Sequence, residues 1–267
     1  MSYAPLVEGQ RQTDGQHPQT ETLHYGAIVV TDGSGNLLTQ VGDADTQTPL
    51  RSTAKAFQLL PLLQSGNSEF AQRDLALMMS SHSGEPEHTE RISRLLAEHQ
   101  LEASMLQCGT HAPIDVHTHE VLIRSGKSPN VLHCNCSGKH TGMLITCLRN
   151  GWDLSSYLNI DHPLQQRIRT IIETLAKSTG PLPYAVDGCA LPTFVVSLRQ
   201  LAKLFATMCR PGMVNNTVDH TDVSPFLTTL REAAVAHPDM IAGSGRLDTE
   251  LMAACGGRVF AKTGADG

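Results

Sequence analysis

In RSTAK, residues 51–55, Ser52 and Lys55 stand three positions apart at the head of the apolar run AFQLLPLLQSG. If that run is helical, both side chains fall on one face, close enough for a neutral lysine amine to take the serine hydroxyl proton. Such a pair makes a nucleophile for acyl transfer. The same residues also suit an ordinary helix start, because serine is a favoured N-cap and Pro49 stands just upstream. The pair gains weight from its company. SSHSGE (80–85) offers further serines, and KTGADG (262–267) offers Lys262 at the end of an apolar segment. Ser-x-x-Lys on a helix start, a second serine on a loop and Lys-Thr-Gly on a strand form the set used by serine acyl-transfer enzymes with a lysine base, in this chain order. Lys262 would orient the second hydroxyl and present positive potential to a substrate carboxylate, while backbone N–H groups at the helix start polarise the attacked carbonyl.

A second kind of chemistry is carried by sulfur and nitrogen. HCNCSGKHTGM (133–143) places His133, Cys134, Cys136, Lys139 and His140 together, and DGCALPT (187–193) adds Cys189. These are metal-ligating types, although no Cys-x-x-Cys pair of a zinc finger is present. Cys108, Cys147, Cys209 and Cys255 sit in apolar runs and read as small buried hydrophobes. His111, His117 and His119 alternate, which suits either a metal comb or the polar face of a strand or loop.

The elements that must hold these groups follow from patterning. Residues 1–20 read as a loose arm; LHYGAIVVTD, the turn GSGN and LLTQVGD (23–43) read as an antiparallel hairpin. Helical patterns follow over RSTAK and its apolar run, over RISRLLAEHQ, and then over 141–150, 162–180 and 193–208. DTELMAACGG (248–257) is a short helix with a glycine stop, and RVFAK (258–262) reads as a strand. The expected architecture is α+β: an antiparallel sheet built from both ends of the chain, about 21–50 and 183–267, with a mostly helical part, about 51–182, inserted between them in a single domain spanning 21–267.

Composition narrows the partner. A chain of 267 residues with 40% hydrophobic content can bury a sizeable core, and its net charge of −6 comes without basic runs. Nucleic acid and anionic membranes are therefore not expected partners, and aromatic residues at 4% leave few platforms for stacked bases. A small-molecule substrate is expected, and a homodimer is left open. The N-terminus lacks a basic stretch followed by an apolar core, no long apolar segment occurs, and seven cysteines without a leader argue for free thiols, so the expected location is the cytoplasm.

RSTAKAFQ, SSHSGEPEHT, CNCSGKHTGM, DGCALPTF, GSGRLDTELM and KTGADG, in this order across 51–267, together resemble the L-asparaginase II family. The resemblance implies the fold of serine β-lactamases and glutaminases and hydrolysis of the side-chain amide of L-asparagine to aspartate and ammonia. It implies two Ser-Lys tandems, Ser52 with Lys55 and a serine of the SSHSGE loop with Lys262; Ser81 is the first choice in that loop and Ser83 the second. Ser52 is the preferred nucleophile. Arg51 and Asp187 would meet the α-carboxylate and α-ammonium of the substrate, with His82 and Gly264 also substrate-binding. One zinc ion beside the active site, tuning substrate placement, would be held by Cys136, Lys139 and Cys189. The family fold continues after the Lys-Thr-Gly strand with further strands and a C-terminal helix, which are expected to be missing here. A glutaminase or penicillin-recognising hydrolase of the same architecture, or an inactive truncated zinc- or amino-acid-binding protein, are the alternative readings.

Overall fold

The elements of the chain begin and end where the sequence can cap a helix or pair a strand. The computed structural model describes residues 3–15, 17–66, 70–212 and 216–265; Met1, Ser2 and Gln16 of the expected arm and Asp266 and Gly267 of KTGADG lie outside the described residues. β1 (Ala4–Arg11) pairs antiparallel with β2 (Gln19–Gly26). β3 (Ile28–Thr31) pairs with β4 (Leu37–Val41) around the GSGN turn, whose Ser34 and Asn36 N–H groups donate to the Asp32 carboxylate at 2.8 and 2.9 Å. This second hairpin is the one expected from sequence. The first corrects the loose arm expected over 1–20. Most residues of β1 are exposed, so the strand carries no inward-facing apolar alternation and owes its order to its partner.

β5 (Gln47–Pro49) leads into a helical region: α1 (Lys55–Gln58), α2 (Leu60–Gln64), α3 (Gln72–Met78), α4 (Pro86–Glu98), α5 (Val116–Arg124), α6 (Ser137–Asn150) and α7 (Pro163–Leu175). Prolines at the first position of α4 and α7 fit there because those N–H groups have no helical acceptor. Asp115 caps α5 by accepting from Thr118 N at 2.7 Å. Because 117 and 119 lie within this helix, His117 and His119 do not share the strand face that alternation suggested.

β6 (Tyr184–Val186) and β7 (Pro192–Ser197) return to sheet, and β5-β7-β6 forms a three-stranded antiparallel unit. Residues 193–197 had read as the start of a helix. They are instead a strand, nearly all buried, and such a strand reads as an unbroken apolar run that periodicity cannot distinguish from a buried helix. The switch to α8 (Leu198–Cys209) falls at Ser197, whose hydroxyl accepts from Gln200 N while the Gln200 side chain accepts from Ser197 N. A two-residue pair, β8 (Thr217–Val218) with β9 (Thr221–Asp222), precedes α9 (Ser224–Ala236), α10 (Pro238–Ile241) and α11 (Leu247–Ala254).

The chain is thus α+β with small antiparallel sheets and many helices. Two expectations about the sheet are corrected. The region 183–265 is largely helical rather than sheet, and among the described residues RVFAK forms no strand. This segment is held by side chains instead: the Phe260 ring stacks on Phe205 of α8 at 5.8 Å, and among the described residues no strand edge is paired with it. What joins distant parts of the chain in one sheet is β5 beside β7, residues 47–49 beside 195–197.

α6 runs through the centre, with every residue from Ser137 to Cys147 buried, and it packs on α2, α3, α4 and α7. Two glycines one turn apart allow this. A Cβ on Gly138 would lie 2.3 Å from the Leu77 carbonyl oxygen of α3, while one on Gly142 would meet only the tip of Leu59 at 2.9 Å and Met78 side-chain atoms at 3.3 Å. Gly138→Ala is expected to destabilise the protein by about 1–3 kcal/mol, because backbone must move. Gly142→Ala is expected to fall within about 1 kcal/mol of neutral, since a flexible side chain can yield and alanine favours helix. Urea unfolding of both variants checks the contrast.

Candidate active site

The sheet positions the first group of site residues. Leu50 N donates to Phe194 O at 2.9 Å, extending the β5–β7 pairing by one residue, and the chain then turns sharply at Arg51 with φ +48°. That left-handed backbone is sparsely populated for a non-glycine residue and is held by Arg51 N donating to Thr193 Oγ1 at 2.8 Å. The neighbouring strand supplies the guanidinium's partner. Asp187 follows β6 in a tight turn closed by Asp187 N to Leu191 O at 2.8 Å, and Arg51 Nε donates to Asp187 Oδ1 at 2.6 Å.

After Arg51 comes a 3-10 turn, Arg51–Ala54, that runs into α1. Lys55 is completely buried, and its Nζ donates to Ser80 O at 2.5 Å, Ser81 Oγ at 2.9 Å and Asn135 O at 3.4 Å. Lys262 Nζ reaches the same Ser81 Oγ from the other side, at 3.0 Å, and donates to Thr263 O at 2.8 Å. Ser81 itself is fixed by donating its N–H to Ile241 O at 2.9 Å. The two expected tandems therefore converge on one hydroxyl, Ser81. Among the described residues no hydrogen bond joins Ser52 to Lys55; three residues along a turn bring the two onto a common side, but the lysine stem extends inward to the 80–81 loop.

Burial holds both amines below the usual lysine range. For Lys55 desolvation is the main cause, opposed by the Cys136 sulfur. Lys262 is pushed down to about 7, first by burial and then by the charge of Lys55, with Asp248 and Cys136 pulling it back up. Two ammonium groups on one buried hydroxyl repel, so one of them is readily neutral near neutrality. A neutral amine there can take the Ser81 proton.

The remaining loop residues take other parts. Ser83 Oγ donates to Ala242 O at 2.7 Å and meets neither lysine, so Ser81 is the serine of this loop that joins them. His82, expected to bind substrate, is fully buried and does not line the cavity. Its Nδ1 accepts from Gly84 N at 3.1 Å, and its Nε2 lies 2.9 Å from Ser137 Oγ, which donates to Leu132 O; the ring is neutral, with its proton on Nε2, and burial keeps it so. It braces the loop against the start of α6.

A cavity of about 350 Å³ opens beside these groups, with Arg51, Ser52, Asn135, Asp187 and Gly264 in its wall. Cys136 and Cys189 line it as well, and Lys139 Nζ donates to Cys189 Sγ at 3.0 Å. All three side chains are buried. Among the described residues no group of three or more His, Cys, Asp or Glu side chains is placed to hold a metal, so the candidate set is two thiols and an amine. Beside it, Tyr157 OH accepts from Gln107 N and so donates to His140 Nδ1, which leaves the His140 Nε2 proton buried with no acceptor among the described residues.

The family model of L-asparaginase II matches residues 16–267. The chain belongs to the L-asparaginase II family. No curated protein gives a match. The asparaginase II family is one of hydrolases, and it implies a small amide as substrate. None of the described helices is long and apolar enough to cross a membrane.

Three residues of this asparaginase II site were not singled out from sequence, Thr193, Asn135 and Asp248, and His111 was noted only as one of three alternating histidines. Thr193 stood in DGCALPT and Asp248 in GSGRLDTELM, but each works through a backbone N–H far along the chain, which no spacing reveals. His111 acts likewise, accepting from Asn135 N at 3.0 Å. Thr193→Val is expected to leave Arg51 N unpaired and cost about 1–2 kcal/mol, whereas Thr193→Ser keeps the acceptor and most of the stability. Denaturant unfolding of the two variants measures the difference.

Proposed function

We propose that this chain hydrolyses the side-chain amide of L-asparagine through an acyl-serine intermediate. The observation that carries the reading is Ser81 Oγ held between two buried amines, Lys55 Nζ at 2.9 Å and Lys262 Nζ at 3.0 Å, behind a cavity that presents a guanidinium and a carboxylate. Arg51 suits the α-carboxylate of an amino acid and Asp187 its α-ammonium, which separates an amino acid from a plain amide. A cavity of about 350 Å³ suits a small polar molecule rather than a polymer.

Ser52 lines the cavity and Ser81 does not, so Ser52 is the attacking hydroxyl of this reading and Ser81 the relay. Ser52 Oγ bonds to the carboxamide carbon while its proton passes to the Lys55–Ser81–Lys262 group. As the tetrahedral adduct collapses, the C–N bond breaks, the nitrogen takes that proton and ammonia leaves. Water then attacks the ester, giving its proton to the same group; Ser52 recovers a proton and aspartate departs. A second reading makes Ser81 the acylated residue, favoured by its direct contact with both lysines. The serine β-lactamase-like arrangement of the whole fold belongs to the same proposal.

Cys136, Lys139 and Cys189 fit one zinc ion: two cysteine sulfurs and an amine converge in a buried place. In its absence the thiolate character of Cys136 and the Cys189 sulfur hold the Lys139 proton against burial, so metal and proton compete for that amine. A bound zinc would supply positive charge to the cavity floor. Seven free cysteines suit a reducing compartment, and the cytoplasm is the location we assign.

Purified protein is expected to release ammonia from L-asparagine faster than from L-glutamine, and Ser52→Ala and Lys262→Met are each expected to lower turnover by about a hundredfold or more. No ammonia from either amino acid would overturn the reading. Trapping with a reactive asparagine analogue and mapping the added mass decides between Ser52 and Ser81. Because Lys262 must be neutral to accept a proton and is held near 7, activity should rise with pH across a limb near 7. Elemental analysis is expected to find about one zinc per chain, lost in Cys136→Ser and in Cys189→Ser.

A further inference from the structure

Asp248 has no place in the substrate cavity, yet it is buried and bonded to the segment that carries Lys262. It lies in the first turn of α11, where the unpaired N–H groups of the helix start favour a carboxylate. Thr263 N donates to both its oxygens at 3.0 Å, and Thr263 Oγ1 donates to Oδ2 at 3.0 Å. Lys262 Nζ stands 3.9 Å from the same Oδ2, with both side chains almost wholly buried. Residues 258–264 form no strand, so no ladder fixes where Lys262 points; Phe260 on Phe205 and Thr263 on Asp248 fix it instead.

We propose that Asp248 is a positioning residue that both aims Lys262 at Ser81 and sets how tightly Lys262 holds its proton. The inference rests on the Ser-Lys reading above for its consequence in catalysis, but not for its geometry. With three bonds to Thr263, the carboxylate locks the peptide next to Lys262. Its negative charge then favours the ammonium form, the state Lys262 enters each time it receives a proton from Ser81. The other charged or titratable groups that act on Lys262 are Lys55 and Arg246, which disfavour that form, and Cys136, which favours it. Asp248 offsets the two cations, so that the amine can take a proton and also keep it through the step.

The test separates charge from clamp. Asp248→Asn keeps an oxygen for Thr263 and removes the charge, Asp248→Ala removes both, and Asp248→Glu keeps the charge. Two readouts are needed. The first is the pH dependence of Lys262 labelling by trace acetic anhydride, followed by peptide mass spectrometry, which requires no catalysis. The second is kcat and KM for L-asparagine against pH. In Asp248→Asn the labelling midpoint of Lys262 is expected to move down by about one pH unit, and the acid limb of activity to move down with it. Asp248→Ala should in addition lower kcat at least tenfold with KM little changed, and Asp248→Glu should recover the wild-type midpoint. A Lys262 midpoint in Asp248→Asn equal to that of the wild type, in protein whose unfolding is unchanged, would overturn the proposal. If the midpoint shifts but no variant, wild type included, releases ammonia, the positioning of Lys262 stands and the amidohydrolase reading falls.

Discussion

Two lysine amines share one serine hydroxyl in a place that water barely reaches, and much of the site is arranged around that constraint. A buried ammonium is costly, and a second one a few ångströms away is costlier still. Lys55 meets the cost with three acceptors, two of them backbone carbonyls at 80 and 135. Lys262 has one carbonyl, the shared hydroxyl and a carboxylate at 3.9 Å. The asymmetry makes Lys262 the readier of the two to lose its proton, and places it near 7, where a base is useful at neutral pH.

Holding those amines in register requires four stretches distant in sequence. The 3-10 turn that carries Ser52 leaves the three-stranded sheet at Leu50, so the sheet sets where α1 begins. The 80–83 loop is tied to 241–242 by Ser81 N and Ser83 Oγ, and to α6 by His82 on Ser137. Asn135, whose carbonyl meets Lys55, is fixed in turn by His111. α6 can enter this cluster because Gly138 lets it touch the backbone of α3. Tight packing and polar satisfaction are here the same requirement: each backbone approach brings a carbonyl or hydroxyl within reach of an amine.

The sequence made the members of the candidate site more legible than the architecture. Lys55 and Lys262 could be singled out from residue type and chain order and Ser81 from the family resemblance, with Ser83 behind it, and most helices from period and caps. What stayed hidden was whatever depends on a partner distant in the chain. β1 is an exposed strand whose order is pairing alone, β7 is buried and reads as helix until Ser197, and RVFAK has the composition of a strand but joins no edge among the described residues. The hydrogen-bond partners of Lys55 stayed hidden for a related reason. Spacing puts Ser52 and Lys55 on one side of a turn, but a lysine stem is long, and burial sends its amine to the acceptors of another loop.

Arg51 shows how function and stability pull apart at this position. Its backbone is left-handed at φ +48°, a conformation that glycine would adopt with less strain, and the cost is about 1–2 kcal/mol. The turn must be that sharp, since β5 ends within the sheet and Ser52 must face the cavity one residue later. An arginine there can be explained by what its side chain does: it reaches Asp187 on the opposite wall and presents the remaining guanidinium N–H groups to the cavity. The inference runs from the observed strain to the role, as it should. A guanidinium and a carboxylate already paired at 2.6 Å form a surface complementary to a zwitterion, which can satisfy both charges at once, whereas a molecule with one charge leaves the other unmatched. Strain in the backbone thus sets the distance between the paired guanidinium and carboxylate and the Ser52 hydroxyl in the same cavity wall.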